Sequence, residues 1–154
     1  MKQIENLLEI AAVEKTELQH VKPHGALYNQ AAKSSTISNA IGLAVKQIDP
    51  QLTIVGLSDS LMIDIWKGMG LNVVEEAFAD RAYEADGSLR NRELENALIT
   101  NPAKAAKQAM MIIKSGEIIS MDGNTISINA QTICIHSDTP VSYTHLTLPT
   151  ILLV

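Results

Sequence analysis

The chain has 154 residues, 46% hydrophobic and 19% charged, which suits one soluble globular domain with a real core. A net charge of −5 without a basic cluster makes nucleic acid and anionic membranes poor partners. The single cysteine, Cys134, excludes an internal disulfide and a multi-thiolate metal site and fits a reducing cytoplasm, and with only 3% aromatic residues the core must be aliphatic.

Residues 1–14 carry charges throughout, unlike a signal peptide. Residues 3–14 have helical spacing, with Ile4, Leu7, Leu8 and Ala11 on one face. A short strand over residues 18–21 runs into Lys22, Pro23, His24 and Gly25. Pro23 cannot donate a ladder hydrogen bond, and Gly25 permits a turn that a β-carbon would resist. Ser35 or Thr36 is placed to cap a helix reaching Ile48, with Ile37, Ile41, Ala44, Val45 and Ile48 as its stripe. Residues 52–56 read as a buried strand. Ser58 or Asp59 then caps a helix carrying Leu61, Met62, Ile65 and Trp66, which stops near Gly68 and Gly70.

Residues 71–77 form the next strand. Asn101-Pro102 starts a helix with Ala105, Ala109, Ile112 and Ile113 on its apolar face, ending at Gly116. Residues 117–128 read as a hairpin around Asp122-Gly123, and residues 132–136 as a last buried strand. Helices alternating with uniformly apolar strands predict an α/β fold with a parallel sheet and helical crossovers.

Polar residues cluster near the ends of three predicted strands: Lys22 and His24; Glu75, Glu76, Asp80, Arg81 and Tyr83; and His136, Ser137 and Asp138. In a parallel sheet the C-terminal strand ends share one edge, where ligands bind in α/β proteins. Imidazoles, carboxylates and cations gathered there could bind an anion and move protons. Each piece also has a plain structural reading. Lys22 and His24 could sit on a surface turn, Asp80 and Arg81 could form a surface ion pair, His136 could be a satisfied core histidine, and Asp138 could cap a helix. His24, His136 and Asp138 are chemically suited to a metal, but their spacing is not diagnostic. No phosphate-binding glycine loop of either common type occurs. Cys134 reads as a buried small hydrophobe rather than a nucleophile.

Three stretches together resemble the LamB/YcsF family: Val21-Lys22-Pro23-His24-Gly25-Ala26-Leu27-Tyr28-Asn29; residues 76–83 followed by Asp86-Gly87-Ser88-Leu89 and Arg92; and Ile133-Cys134-Ile135-His136-Ser137-Asp138. The resemblance covers about residues 2–140. It implies a cytoplasmic hydrolase that, with two other subunits, opens the lactam ring of 5-oxo-L-proline to L-glutamate at the expense of ATP, with Mg as the nucleotide's counter-ion and no tightly bound metal. It also implies a partial (β/α) barrel of the polysaccharide-deacetylase-like type. Carried over by position, His24, Glu76, Asp80 and Asp138 would be catalytic, and Lys22, Arg81 and His136 would bind substrate.

The sequence departs from the family at both ends. Motifs that open family members are missing ahead of residue 3, so residues 1–140 read as the C-terminal portion of such a barrel, inactive alone. Ser137 stands where the family usually has Gly. Residues 141–154 lack charge and helical periodicity and read as a non-native tail. Two rival functions remain at this level: a metal-dependent carbohydrate deacetylase or amidohydrolase, and a non-catalytic module that helps to assemble a complex.

Overall fold

The computed structural model describes residues 2–136. The chain divides into two compact units, Met1–Glu75 and Glu76–Val154. Asp138 and the segment 141–154 lie outside the described residues.

The first unit holds α1 (Lys2–Val13), β1 (His20–Val21), α2 (Ala26–Ala31), α3 (Ser35–Ile48), β2 (Thr53–Leu57), α4 (Leu61–Gly68) and the start of β3 (Asn72–Phe78). β1 and β2 pair in parallel, His20 opposite Thr53 and Val21 opposite Ile54. The core gathers around Trp66, which is fully buried. Its indole Nε1 donates to the Ser38 carbonyl at 2.9 Å. Two glycines make room for the ring. A Cβ on Gly42 of α3 would stand 2.8 Å from Trp66 Cδ1, and one on Gly56 of β2 would stand 2.6 Å from Cζ3. Alanine at either position would overpack a full core, at a cost of about 1–3 kcal/mol.

The second unit holds the end of β3, α5 (Pro102–Ser115), β4 (Glu117–Ile119), β5 (Thr125–Ser127) and β6 (Thr132–Cys134). β3 pairs in parallel with β6, with Glu76, Ala77 and Phe78 opposite Thr132, Ile133 and Cys134. β4 and β5 form the expected antiparallel hairpin, Ile118 opposite Ile126. Its turn is held by Asp122, which accepts from the Ser120 hydroxyl at 2.5 Å. That bond, helped by Asn124, keeps the Asp122 carboxyl below its usual range. The strand order of the larger sheet is β1-β2-β3-β6, a parallel sheet with helical crossovers. No described helix is long and apolar enough to cross a membrane.

Several predicted details shift. The caps of α3 and α4 are Ser34 and Ser60, not Ser35 or Thr36 and not Ser58 or Asp59. α5 is as read, with the Asn101 side chain accepting from Lys104 N and Gly116 left-handed at the end, but Ile113 is 68% exposed. Helix α2 was not anticipated, because six residues are too few to show a periodic stripe. Its start at Gly25, with φ +62, is the permissive turn that the glycine predicted. β6 stops at Cys134, which is half-buried rather than buried.

Candidate functional site

Glu76 stands within β3, which runs to Phe78, and it is buried. Asp80 follows the strand end and is fully buried. Its partner comes from just beyond β6. The backbone N–H of His136 donates to Asp80 Oδ2 at 2.8 Å, and His136 Nδ1 lies 3.1 Å from both carboxylate oxygens. A carboxylate only accepts, so Nδ1 carries the hydrogen in this contact and Nε2 lies outside it. The ring stacks on Phe78 with centroids 5.5 Å apart and planes inclined by 16°. The His136 side chain is 22% exposed, so a buried carboxylate orients an imidazole that solvent can reach. This is the geometry of an oriented proton acceptor.

Segment 79–101 frames this pair without regular secondary structure beyond isolated bridges, Arg81 with Leu98 and Tyr83 with Leu89. Arg81 is buried and organises the segment. Its Nη2 donates to the Arg90 carbonyl at 2.6 Å and its Nε to the Ala97 carbonyl at 3.4 Å. Burial, with Arg92 nearby, lowers the guanidinium below its ordinary value. Arg81 therefore acts first as a frame for the loop. Tyr83 is also buried, and its Oη accepts from Phe78 N at 2.8 Å. Burial pushes its hydroxyl pKa well up, so it stays neutral. From α5, the Gln108 side-chain amide donates to the carbonyls of Phe78 and Arg81 at 2.8 Å and Ala79 at 3.3 Å.

Within the first unit, Lys22 is half-buried and its ammonium lies 5.7 Å from the centroid of the Tyr28 ring, a cation–π approach. His24 is exposed on the turn before α2. A second polar cluster lies after β2. Buried Glu75 meets Lys67 Nζ at 2.5 Å, Asp59 N at 3.2 Å and Ser58 Oγ at 3.3 Å.

Among the sequence-predicted residues, direct contact joins Asp80 to His136. Lys22 and His24 belong to the first unit, and Glu76, Asp80, Arg81 and His136 to the second. No group of three or more His, Cys, Asp or Glu side chains suited to a metal occurs among the described residues. Sequence reasoning missed Gln108, Ser58, Asp59 and Lys67. Gln108 could have been found: it falls between Ala105 and Ile112 on the buried stripe of α5, where an unpartnered amide would be costly.

Proteins named as the A subunit of 5-oxoprolinase, from Chloroflexus aggregans and Chloroflexus aurantiacus, are 49% and 50% identical over 138 residues, covering 90% of this chain and 55% and 54% of those proteins. The chain thus spans about half the length of the curated relatives it matches. The crystal structure of a lactam utilization protein from Thermus thermophilus matches with a TM-score of 0.86 at 36% identity, covering 97% of this chain and 61% of that one. The family model of the LamB/YcsF family matches residues 1–148, reaching past the start of the segment set apart at residue 141. On the strength of that match, the chain belongs to the LamB/YcsF family.

Proposed function

We propose that this chain contributes residues to the hydrolytic opening of 5-oxo-L-proline to L-glutamate, coupled to ATP hydrolysis in a complex with two further subunits. The observation that carries this reading is the Asp80–His136 pair, a buried carboxylate orienting a reachable imidazole in a chain whose relatives are named for 5-oxoprolinase. Opening a lactam requires water to add to the ring carbonyl, the C–N bond to break and the nitrogen to take up a proton. His136 Nε2 is suited to take the proton from the water and later return it to the leaving nitrogen, while Asp80 holds the ring and stabilises the imidazolium. His136, expected from sequence to bind substrate, is thereby assigned to proton transfer.

Lys22 would hold an anionic group, the substrate carboxylate or a phosphate. His24, Glu76 and Asp138 are proposed as further proton-handling groups, and Arg81 as the residue that shapes the loop. ATP enters as co-substrate, with Mg as its counter-ion. The test is ATP-dependent glutamate release by the full-length protein in complex with its two partners. His136→Ala and His24→Ala should each abolish turnover with assembly intact. Near-normal turnover in either would remove that residue from the mechanism. Glutamate release by this chain alone would overturn the expectation that it is inactive outside the complex.

A further inference from the structure

We infer that Gln108 is a positioning residue: its side-chain amide fixes the backbone on both sides of Asp80 and thereby sets the Asp80–His136 pair. The inference rests on the proton-transfer role given to that pair above. It starts from where the backbone carbonyls go as the chain leaves β3. The Asp80 carbonyl receives Ile99 N at 2.9 Å, and the Ala82 carbonyl receives Arg90 N at 3.0 Å. The carbonyls of Phe78, Ala79 and Arg81 receive the Gln108 amide. Three carbonyl oxygens facing one end of the side chain require that end to be the NH2, because the amide oxygen has nothing to donate.

An NH2 group has two hydrogens. The two short bonds, both 2.8 Å, go to Phe78 and Arg81, which flank the Asp80 position, and the 3.3 Å approach to Ala79 is the weaker one. Phe78 is also the ring on which His136 stacks. One amide therefore anchors the residue under the imidazole and the turn that presents its carboxylate. The α5 face that carries Gln108 is itself anchored, with Ala105 and Ile112 buried on either side. Losing the donor would let the 78–81 backbone turn toward other partners, and the Asp80 carboxylate would turn with it.

The test uses the full chain and the assembled enzyme. Gln108→Met keeps the length and removes the donors. In the 15N-labelled full chain, nitrogen chemical shifts report which ring nitrogen of His136 carries the hydrogen. The native chain should hold the Nδ1–H form, and Gln108→Met should mix the two forms while the β4–β5 hairpin signals stay in place. In the assembled enzyme, kcat and kcat/KM should fall together by about tenfold or more, the pattern of a contact needed in the transition state. A folded Gln108→Met variant with an unchanged His136 tautomer overturns the inference. If Gln108→Met fails to fold, Gln108→Asn replaces it, retaining the amide one methylene short. A tautomer mixture intermediate in Asn supports positioning, and a native tautomer overturns it. Ile113→Ala, on the exposed side of the same helix, should leave both readouts unchanged. A native complex with no turnover of 5-oxoproline overturns the proposed function, while the tautomer still decides the role of Gln108.

Discussion

Glu75 and Asp80 are two carboxylates a few residues apart, 4% and 0% exposed, and they are satisfied in opposite ways. Glu75 meets an ammonium, a backbone N–H and a hydroxyl: Lys67 Nζ at 2.5 Å, Asp59 N at 3.2 Å and Ser58 Oγ at 3.3 Å. Both Asp80 oxygens lie within hydrogen-bond distance of His136, through its backbone N–H and its ring. The first arrangement ties the loop after β2 to β3 through a lysine ammonium rather than an imidazole. The second sets a buried carboxylate against an imidazole, the side chain most often used for proton transfer. Burial does not distinguish Glu75 from Asp80, which is proposed for chemistry; the partner does.

The largest expected effect tests this contrast. Asp80→Asn should cut kcat of the assembled enzyme by roughly 10²–10⁴-fold, the usual worth of an oriented acid–base group. An amide NH2 facing Nδ1 favours the wrong tautomer, so nitrogen shifts should show Nε2–H in the variant. Glu75→Gln keeps an acceptor for Ser58 and Asp59 and should leave kcat within about threefold of native, the expectation for a residue outside the reacting atoms. Equal losses in the two variants would erase the distinction.

How much of this was legible in the sequence follows from the range of each signal. α5 was readable end to end, because Asn101, Pro102 and Gly116 act locally on backbone donors and dihedrals. The alternation of strands with helices gave the parallel sheet for a similar reason. The predicted strand already held Glu75 and Glu76, and β3 extends one residue further, to Phe78. Asp80 and His136 were each recognised as candidates, but their partnership spans 56 residues and depends on β3 pairing with β6. Arg81 looked like an anion binder because a guanidinium reads as a free charge until its acceptors, the carbonyls of Arg90 and Ala97, are seen.

A stability effect of middle size should come from Glu75→Ala. It removes one acceptor from the Asp59 N–H and one from the Ser58 hydroxyl in a partly dry site and should cost about 1–3 kcal/mol in urea unfolding. A cost near zero would mean that water replaces the carboxylate fully.

Lys67 gives a smaller, pH-dependent signal. Its hydrogen bond to Glu75 outweighs burial and raises its pKa above the ordinary 10.5. The folded state therefore holds this proton more tightly than the unfolded chain. The resulting stability is fully present below 10.5 and is lost as pH rises through the raised value. Half of the lysine side chain is in water, 53% exposed, so screening keeps the effect modest. Urea midpoints of the native chain and Lys67→Met should differ most at about pH 9 and converge in more alkaline buffer, with other lysines cancelling in the difference. A gap that widens with pH would reverse the assigned direction.

The smallest effect isolates the backbone from the side chain in the Glu75 cluster. Asp59 is held at φ +57, in the left-handed region, while its N–H donates to Glu75 and its Oδ2 accepts from Ser58 at 3.0 Å. A β-carbon there costs about 1–2 kcal/mol before local hydrogen bonds offset it. Glycine removes that cost but also loses the Ser58 contact and enlarges the unfolded ensemble, so Asp59→Gly should stabilise by at most about 0.5 kcal/mol. Asp59→Ala keeps the steric cost and loses the Ser58 contact, and should destabilise by about 1 kcal/mol. Both variants retain the N–H on Glu75. Opposite signs in thermal melts would show that the dihedral and that N–H shape the cluster. Equal destabilisation would show that the Asp59 carboxylate does, and Glu75 would then be one half of a paired acidic site rather than the anchor of a loop.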